Sequence, residues 1–431
     1  MKSSFYNHYV PEGKAIMLYN ALADAYLILN QDLFNEFRAK EENLEELYTS
    51  NPKLYNTLKE NGFIIPRAFD EKSYYLNLLF NRRFTSKIYQ VIINPTLDCN
   101  LGCWYCYEDH VPDSEMDDTI IKKLLNHIKL KYKEEQFSEL WLSFFGGEPL
   151  LKTNIVITIL NQIEKFTKDK KIKISVAFTT NATLISDELL NVLKRFNVNF
   201  QITLDGNEIM HDSSRCFKNT NKPTYKLIIN NINKIQSVLK NYGISVRINY
   251  HQKALEGLYS VIDDLAFADK RFLRFSLMRI WQVNQIEISW PDIFKFTNYA
   301  QEKGFIVNFL SLTPKSSVCY ADCLNEVVVN YDGNVHKCTA RNFAKVKPDG
   351  VLMDNGVINW DIDRLSRRLA TNIPQICKDC KLLPSCPGIC SQKILEDGEN
   401  VKCILDTNLS LDDHITYNFN RFALENKLVK I

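Results

Sequence analysis

Two rhythms of apolar and polar residues run along most of the chain. Six short runs rich in β-branched and aromatic residues read as strands: YQVIINP (89–95), LWLSFF (140–145), ISVAFTT (174–180), VNFQITLD (198–205), ISVRINY (244–250) and LRFSLMRI (273–280). Helical periodicity fills the gaps between them. Ile120, Ile121, Leu124, Leu125 and Ile128 make one apolar stripe, entered through Ser114 with Asp117 three residues on. The runs are apolar nearly throughout, as parallel strands covered on both faces should be. Six such units predict an α/β protein built on a partial (β/α)6 TIM-like barrel, whose chemistry would sit just after the strands.

The two ends of the chain follow other patterns. In residues 1–85, KAIMLYN (14–20) and AYLILN (25–30) predict a hairpin. NPKLYNTLKENGF (51–63) predicts a helix with Asn51 as N-cap, Pro52 at the first helical position and Gly62 past the end. Leu54 and Leu58 share one face of that helix, and FII (63–65) returns as a strand. Together these predict a winged-helix-like module; an extension packed on the main domain is the alternative. Segments 16–18 and 26–29 would offer a sheet edge to which an extended peptide can add a strand. The other end is rich in cysteine. The expected domains are 1–85, 86–310 and 311–431.

Composition narrows the function. A chain of 431 residues accommodates roughly two to four domains of ~100–200 residues. Lys and Arg number 53 against 51 Asp and Glu, a net charge of +2, which gives no basic footprint for nucleic acid or a membrane surface. No apolar run approaches the ~18 residues of a membrane span, and the first residues lack the layout of a signal peptide. A cytoplasmic location follows as the expectation. In that reducing compartment the 12 cysteines are metal ligands or redox groups rather than disulfides. None precedes Cys99, three cluster there, Cys216 stands alone as a structural thiol, and eight fall between Cys319 and Cys403.

Candidate chemistry collects at the strand ends. In TLDCNLGCWYC (96–106), three thiols on a tight loop can hold three irons of a [4Fe–4S] cluster and leave the fourth without a protein ligand. Zinc held by three cysteines and a distant histidine or water is the alternative. FFGGEP (144–149) follows the second strand, where Gly146 and Gly147 let a ligand approach bare backbone and Glu148 offers a carboxylate. TTNATL (179–184) follows the third with hydroxyl and amide groups suited to a ribose or amino acid, and TLDGNEIMHDSSR (203–215) follows the fourth. For Asn181 or His211 alone, a local capping or core hydrogen bond explains the residue; their coincidence at successive strand ends does not reduce to packing.

CNLGCWYC resembles the CxxxCxxC signature of radical S-adenosylmethionine (radical SAM) enzymes, and GGEP resembles their second motif. The resemblance implies that Cys99, Cys103 and Cys106 hold the cluster, with SAM's amino and carboxylate groups on the fourth iron. It implies Tyr105 near adenine, Gly146, Gly147 and Glu148 at the SAM amino group, and Thr180 and Asn181 near the ribose. Arg215, in a match to the family's HDxxR, would meet the SAM carboxylate. Ala182 stands where that ribose segment usually has glycine.

The C-terminal spacing is similar to the seven-cysteine SPASM pattern: Cys323, Gly333 and Cys338, then Cys377, Cys380, Cys386, Cys390 and Cys403. The resemblance implies two auxiliary [4Fe–4S] clusters, three in all. One takes Cys377, Cys380, Cys386 and Cys403; the other takes Cys323, Cys338, Cys390 and Cys319, the last lying outside the pattern and otherwise a free thiol. The expected protein is a radical SAM/SPASM enzyme that modifies a ribosomally made precursor peptide, with flavodoxin or ferredoxin as electron donor and neither nucleic acid nor membrane as partner. The rivals are an anaerobic sulfatase maturase and a non-catalytic zinc-containing peptide-binding protein. Maturases place an aspartate after the cysteine equivalent to Cys338; here Thr339 stands there.

Overall fold

The structure, a computed structural model, describes residues 1–250, 257–280, 290–309, 318–371, 373–386, 388–398, 403, 405 and 410–426. The expected domain boundary at 310/311 falls outside these residues. The chain divides into two compact units: Met1–Phe84, Leu310–Leu324 and Arg367–Ile431 in the first, Thr85–Phe309 and Asn325–Ser366 in the second.

The first unit opens with strands β1 (Lys2–Ser3), β2 (Asn7–Glu12), β3 (Ala15–Asn20) and β4 (Ala25–Asn30). Helices α1 (Gln31–Ala39), α2 (Leu44–Ser50) and α3 (Pro52–Glu60) follow, then β5 (Ile64–Ile65) and α4 (Glu71–Arg83). The punctuation of α3 works as the sequence implies. The Asn51 side chain accepts the Leu54 N–H at 3.1 Å, and Gly62 turns the chain away at φ +78°. Leu54 and Leu58 then bury with Leu18, Phe37 and Phe63.

Strand order is β2-β3-β4, with β1 paired to β5. This corrects the expected edge: residues 16–18 lie in the central strand, bonded on both sides, and among the described residues the edge opposite β2 belongs to β4. Strand β2 escaped notice because NHYVPE carries little apolar signal and a proline, which sheets tolerate only at edges. Tyr6, Met17 and Tyr19 share a core with Leu382, Leu405 and Ile415 from the far end of the chain. Tyr26 stacks on Tyr19 with ring centres 4.5 Å apart and meets Phe419 and Phe422 at 5.3 and 5.1 Å.

The second unit alternates strand and helix. In order these are β6 (Ile88–Ile93), α5 (Asp118–Glu135), β7 (Glu139–Phe144), α6 (Thr153–Thr167), β8 (Lys173–Thr180), α7 (Asp187–Leu193), β9 (Asn197–Thr203), α8 (Glu208–Ser214), α9 (Tyr225–Val238), β10 (Tyr242–Tyr250), α10 (Leu258–Asp264), β11 (Leu273–Arg279), α11 (Trp290–Glu302) and β12 (Ile306–Asn308). Then β13 (Glu326–Val329) pairs parallel to β6, and β14 (Asn334–His336), β15 (Gly350–Leu352) and β16 (Ile358–Trp360) extend the sheet antiparallel. Shorter helices α12 (Ile362–Leu369), α13 (Gln375–Lys378) and α14 (Ser391–Asp397) precede α15 (Leu411–Glu425). The sheet order β12-β11-β10-β9-β8-β7-β6-β13 is parallel throughout, so the six anticipated strands stand side by side in chain order.

Two expectations change. The strands are not covered alike on both faces. Phe144, Phe178 and Phe200 stack across β7, β8 and β9 at 5.1 and 5.4 Å on the fully buried face. On the other face Gln201, Thr203, Arg247 and Asn249 recur at period two and line a cleft. Helix α5 is capped not through Ser114 but by Asp117, whose side chain accepts the Ile120 N–H at 2.8 Å. Ser114 serves the cysteine loop instead. No helix among the described residues is long and apolar enough to cross a membrane.

A buried joint ties α5 to the sheet extension. His127 Nδ1 donates to the Gly356 carbonyl at 2.6 Å, and Nε2 meets the Tyr89 hydroxyl. Burial holds the His127 imidazole down to about 4. Between about pH 6.5 and 4 the unfolded chain therefore binds a proton that the folded one refuses, and stability falls as pH drops through that window. His127→Gln should flatten the loss, by about 3 kcal/mol over the full window at ~1.4 kcal/mol per pH unit. Denaturant titrations at pH 7.5 and 5 on both proteins would measure it; parallel losses would show that His127 is not the cause.

Candidate active site

The cysteine loop leaves β6 and is held by hydrogen bonds with nearby side chains and with the segment after Arg215. Ser114 Oγ accepts the Leu97 N–H at 2.9 Å, and Asp98 Oδ1 takes both the Cys99 N–H at 2.8 Å and Lys218 Nζ at 2.7 Å. Gly102 N–H donates to the Cys216 carbonyl at 3.2 Å, and Leu101 bridges to Phe217. The segment after Arg215 thus backs the loop.

At the end of β7 the two glycines do more than bare the backbone to a ligand. A methyl group on Gly146 would lie 2.3 Å from the Thr96 carbonyl oxygen, and one on Gly147 2.2 Å from that of Asp98. Their absence lets the two loops dock backbone to backbone, with Glu148 N–H donating to Asp98 O at 2.8 Å. Gly146 also needs its φ of +110°. Both glycines still line the cleft.

Glu148 is fully buried and does not line it. Its carboxylate accepts Thr180 Oγ1 and Asn181 N–H at 2.7 Å each and Leu150 N–H at 2.9 Å, bracing the end of β8. Burial raises its pKa, opposed by these donors. Asn181 Nδ2 donates to Asn100 Oδ1 at 2.8 Å and lies 4.0 Å from Cys99 Sγ. Ala182 adopts φ +59° fully buried, a left-handed conformation that costs a non-glycine residue about 1–2 kcal/mol. Its carbonyl accepts Asn231 Nδ2 at 2.8 Å, which helps hold the turn.

The cleft brings together Cys99, Cys103, Cys106, Tyr105, Gly146, Gly147, Thr180, Asn181 and Arg215. Tyr105 is the hub of its far wall. The hydroxyl donates to Asp205 and accepts Arg215 Nη1 at 2.6 Å and Asn249 Nδ2 at 3.2 Å. Asn249 N–H donates to Asp205 Oδ1 at 3.0 Å, and Arg247 Nε to Asn249 Oδ1 at 2.9 Å. Burial opposes the Arg215 charge, but Tyr105, Cys103 and Asp205 outweigh it and hold the guanidinium above its usual range. Its Nε is buried without a hydrogen-bond partner.

His211 stays outside the cleft. The Asp205 N–H donates to its Nδ1 at 3.2 Å, so Nε2–H donates to Thr224 Oγ1 at 3.1 Å, and the Thr224 hydroxyl to the Arg215 carbonyl at 2.7 Å. That chain fixes the turn carrying Arg215. Burial pushes the Cys99 thiol up to about 12 and raises Cys103 and Cys106 too. It also pushes the Glu108 carboxyl, on the cleft wall, up to about 8.

Asp205, Arg247, Asn249 and Glu108 were not singled out from sequence. Arg247 and Asn249 carried a signal: two polar residues at period two at the end of an otherwise apolar strand. Asp205 ends the fourth run, where the barrel rule places chemistry. Glu108 had none beyond its neighbour Cys106.

Among the other cysteines, the first unit gathers Cys377, Cys380, Cys386 and Cys403, whose sulfurs lie close enough to perturb one another. Burial first, then these neighbours, push Cys386 up to about 11. The Leu382, Gly388 and Leu405 N–H groups each donate at 3.4 Å to the sulfur two residues before them, a pattern that stabilises thiolates. Cys323 Sγ lies 3.7 Å from the Cys319 carbonyl, and Cys390 caps α14. In the second unit Cys338 is buried after β14, and the pattern's Gly333 makes the β13–β14 turn at φ +81°. Cys216 Sγ sits 3.8 Å from Asn221 Oδ1, outside the cleft.

Among the described residues no three His, Cys, Asp or Glu side chains converge tightly enough to hold one metal ion. A cubane asks for something else, since each thiolate binds a different iron. Three thiols on one loop, in a cleft that Arg215 also lines, fit a cluster that leaves one iron to a ligand bearing a carboxylate.

Residues 93–252 match the model of the Radical SAM superfamily. The chain is 25% identical over 340 residues, 70% of its length and 88% of the relative's, to the cysteine-type anaerobic sulfatase-maturating enzyme of Clostridium novyi. To the radical SAM cyclopropyl synthase TigE of Paramaledivibacter caminithermalis it is 27% identical over 227 residues, 46% of this chain and 45% of that one. Streptococcus suis SuiB bound to precursor peptide SuiA shares the fold at a TM-score of 0.51 and 16% identity, covering 95% of this chain and 100% of that one. The chain therefore carries a radical SAM domain and is an enzyme related to peptide-modifying and sulfatase-maturating enzymes. The radical SAM match implies a SAM-binding [4Fe–4S] cluster and SAM itself.

Proposed function

We propose that the protein is a radical SAM/SPASM enzyme that installs a cross-link, thioether, epimerisation or oxidation in a ribosomally made precursor peptide. The observation that carries the reading is the cleft: three thiols on one loop, docked backbone to backbone on a glycine pair, with an arginine lining the same space. Bound there, the cluster and SAM supply a 5′-deoxyadenosyl radical able to abstract hydrogen from an unactivated carbon. Cys99, Cys103 and Cys106 hold the cluster. Arg215 meets the SAM carboxylate, Gly146 and Gly147 receive its amino end, Thr180 and Asn181 its ribose, and Tyr105 its adenine side. Glu148 acts through Thr180 and Asn181 rather than by touching SAM. The distal auxiliary cluster takes Cys377, Cys380, Cys386 and Cys403. By the sequence pattern, Cys319, Cys323, Cys338 and Cys390 take the other. A flavodoxin or ferredoxin of the cytoplasm supplies the electron.

Sulfatase maturation is the second reading, favoured by the 88% coverage of the Clostridium novyi enzyme. Against it stands Thr339, whose side chain is no carboxylate base.

The peptide's docking edge is β4, where Ile28 is 53% exposed, whereas β2 is marked by Pro11. Deleting residues 1–85 would not test this, because Tyr6, Met17 and Tyr19 share a core with Leu382, Leu405 and Ile415. Proline at 27 and at 28, as separate variants, removes one strand N–H each, and successive N–H groups point to opposite edges. One variant should weaken binding of a labelled peptide, made from a short open reading frame found beside this gene, about tenfold or more while leaving peptide-free SAM cleavage intact. Unchanged precursor affinity in both would refute docking at β4. Loss of SAM cleavage in the unaltered protein would refute the enzyme reading itself.

A further inference from the structure

We propose that Glu108 selects the substrate by receiving a cationic nitrogen, a lysine or arginine side chain of the peptide, inside the cleft; this rests on the peptide-modifying reading above. Its two neighbours in the chain are anchored to the segment that follows β14. The Tyr107 hydroxyl donates to the Thr339 carbonyl at 3.1 Å. Asp109 N–H donates to Asn342 Oδ1 at 3.3 Å, and its carboxylate holds Lys345 Nζ at 2.5 Å. Anchored on both sides, the loop turns the Glu108 side chain onto the cleft wall, where it is 8% exposed and its Oε2 has no hydrogen-bond partner.

Buried carboxyl oxygens are ordinarily paired, because an acceptor removed from water without a donor destabilises the fold. The arginines that line the cleft are committed elsewhere, and His110 Nε2 lies 3.6 Å from Cys106 Sγ. Arg215 is bonded to Tyr105, Arg247 to Asn249, and Lys345 to Asp109. Among the described residues no cation contributes to the environment of the Glu108 carboxyl, and the Tyr107 hydroxyl lies beside it. A desolvated carboxyl without a counter-charge is matched by a donor that arrives with its own positive charge. SAM is the competing source of positive charge, and the test separates the two.

The reconstituted protein with SAM bound is titrated with two short probes, acetyl-Gly-Lys-Gly-amide and its norleucine counterpart, and binding is read by NMR. The unaltered protein should prefer the lysine probe about tenfold, as a partly desolvated charge-assisted pair provides. Glu108→Gln should abolish the preference with SAM affinity unchanged, and Glu108→Asp, which keeps the charge, should retain part of it. Equal binding of the probes by the unaltered protein overturns the proposal, as does a preference that survives in Glu108→Gln. Weaker SAM binding by Glu108→Gln without any probe would assign the residue to SAM and overturn it too. If the unaltered protein cleaves no SAM, the enzyme reading fails, yet the probe preference still decides the role of Glu108.

Discussion

Cys103→Ala should lower reductive SAM cleavage to background, a loss of at least ~100-fold, because two thiolates cannot hold a cluster that must leave one iron open. Three [4Fe–4S] clusters correspond to about 12 iron atoms per chain, and the variant should retain about 8. The retained iron matters as much as the lost activity. The cysteines at 377, 380, 386 and 403 lie in a different compact unit from Cys103, so their site should load regardless. Deoxyadenosine and iron, quantified on anaerobically purified protein, give both numbers. Undiminished deoxyadenosine would end the assignment of Cys103, and zinc without sulfide would end the cluster scheme.

The second large effect is expected at a residue with no side chain. In Gly147→Ala the new methyl would sit 2.2 Å from the Asp98 oxygen, 2.6 Å from its carbonyl carbon and 2.7 Å from the Leu97 oxygen. All three are backbone atoms and cannot rotate aside, so the loops must part and the Glu148 N–H to Asp98 bond must break. A loss of about 3 kcal/mol in stability is expected, at the upper end of ordinary overpacking, with failure to develop the visible absorbance of the first cluster. Gly13→Ala is the control. Gly13 has φ +62° but no atom within 4 Å of the added methyl, so only conformational strain of about 1 kcal/mol applies. Similar shifts in unfolding for the two variants would show that loop docking does not depend on Gly147.

What the sequence disclosed about the fold follows from which forces are local. The helix after Asn51 and the six parallel strands were legible because capping and apolar runs are written in neighbouring residues. The polar face of β9 and β10 was not, since whether a sheet face is packed or lines a cleft depends on strands far apart in the chain. Ser114 looked like a helix cap on spacing alone, yet its hydroxyl was claimed by Thr96 and Leu97, 18 and 17 positions away. The glycine pair was recognised while its main packing demand was missed, because the atoms it accommodates belong to another strand's loop. Glu148 read as a ligand-facing carboxylate for the same reason. Its three donors converge only after β7 and β8 align. The wall of Tyr105, Asp205, Arg215 and Asn249 spans 144 positions of sequence between its outermost members, and no local pattern announces such a set.

The core that Tyr6, Met17 and Tyr19 share with Leu382, Leu405 and Ile415 has a consequence for the order of synthesis. Leu382 follows Ala21, another member of that core, by 361 positions. At ~5–20 residues per second the first strands wait about 20 to 70 s on the ribosome before their partners are made. The second unit, largely continuous from Thr85 to Phe309, has what it needs to close during that interval. Cys380, Cys386 and Cys403 pack against the late core, so their site takes its final form only as the newest segment of the nascent chain meets the oldest. If these cysteines hold the proposed cluster, it can assemble only after residues 380–403 have been made, and a chaperone that shields the strands of residues 1–84 until then would raise its yield.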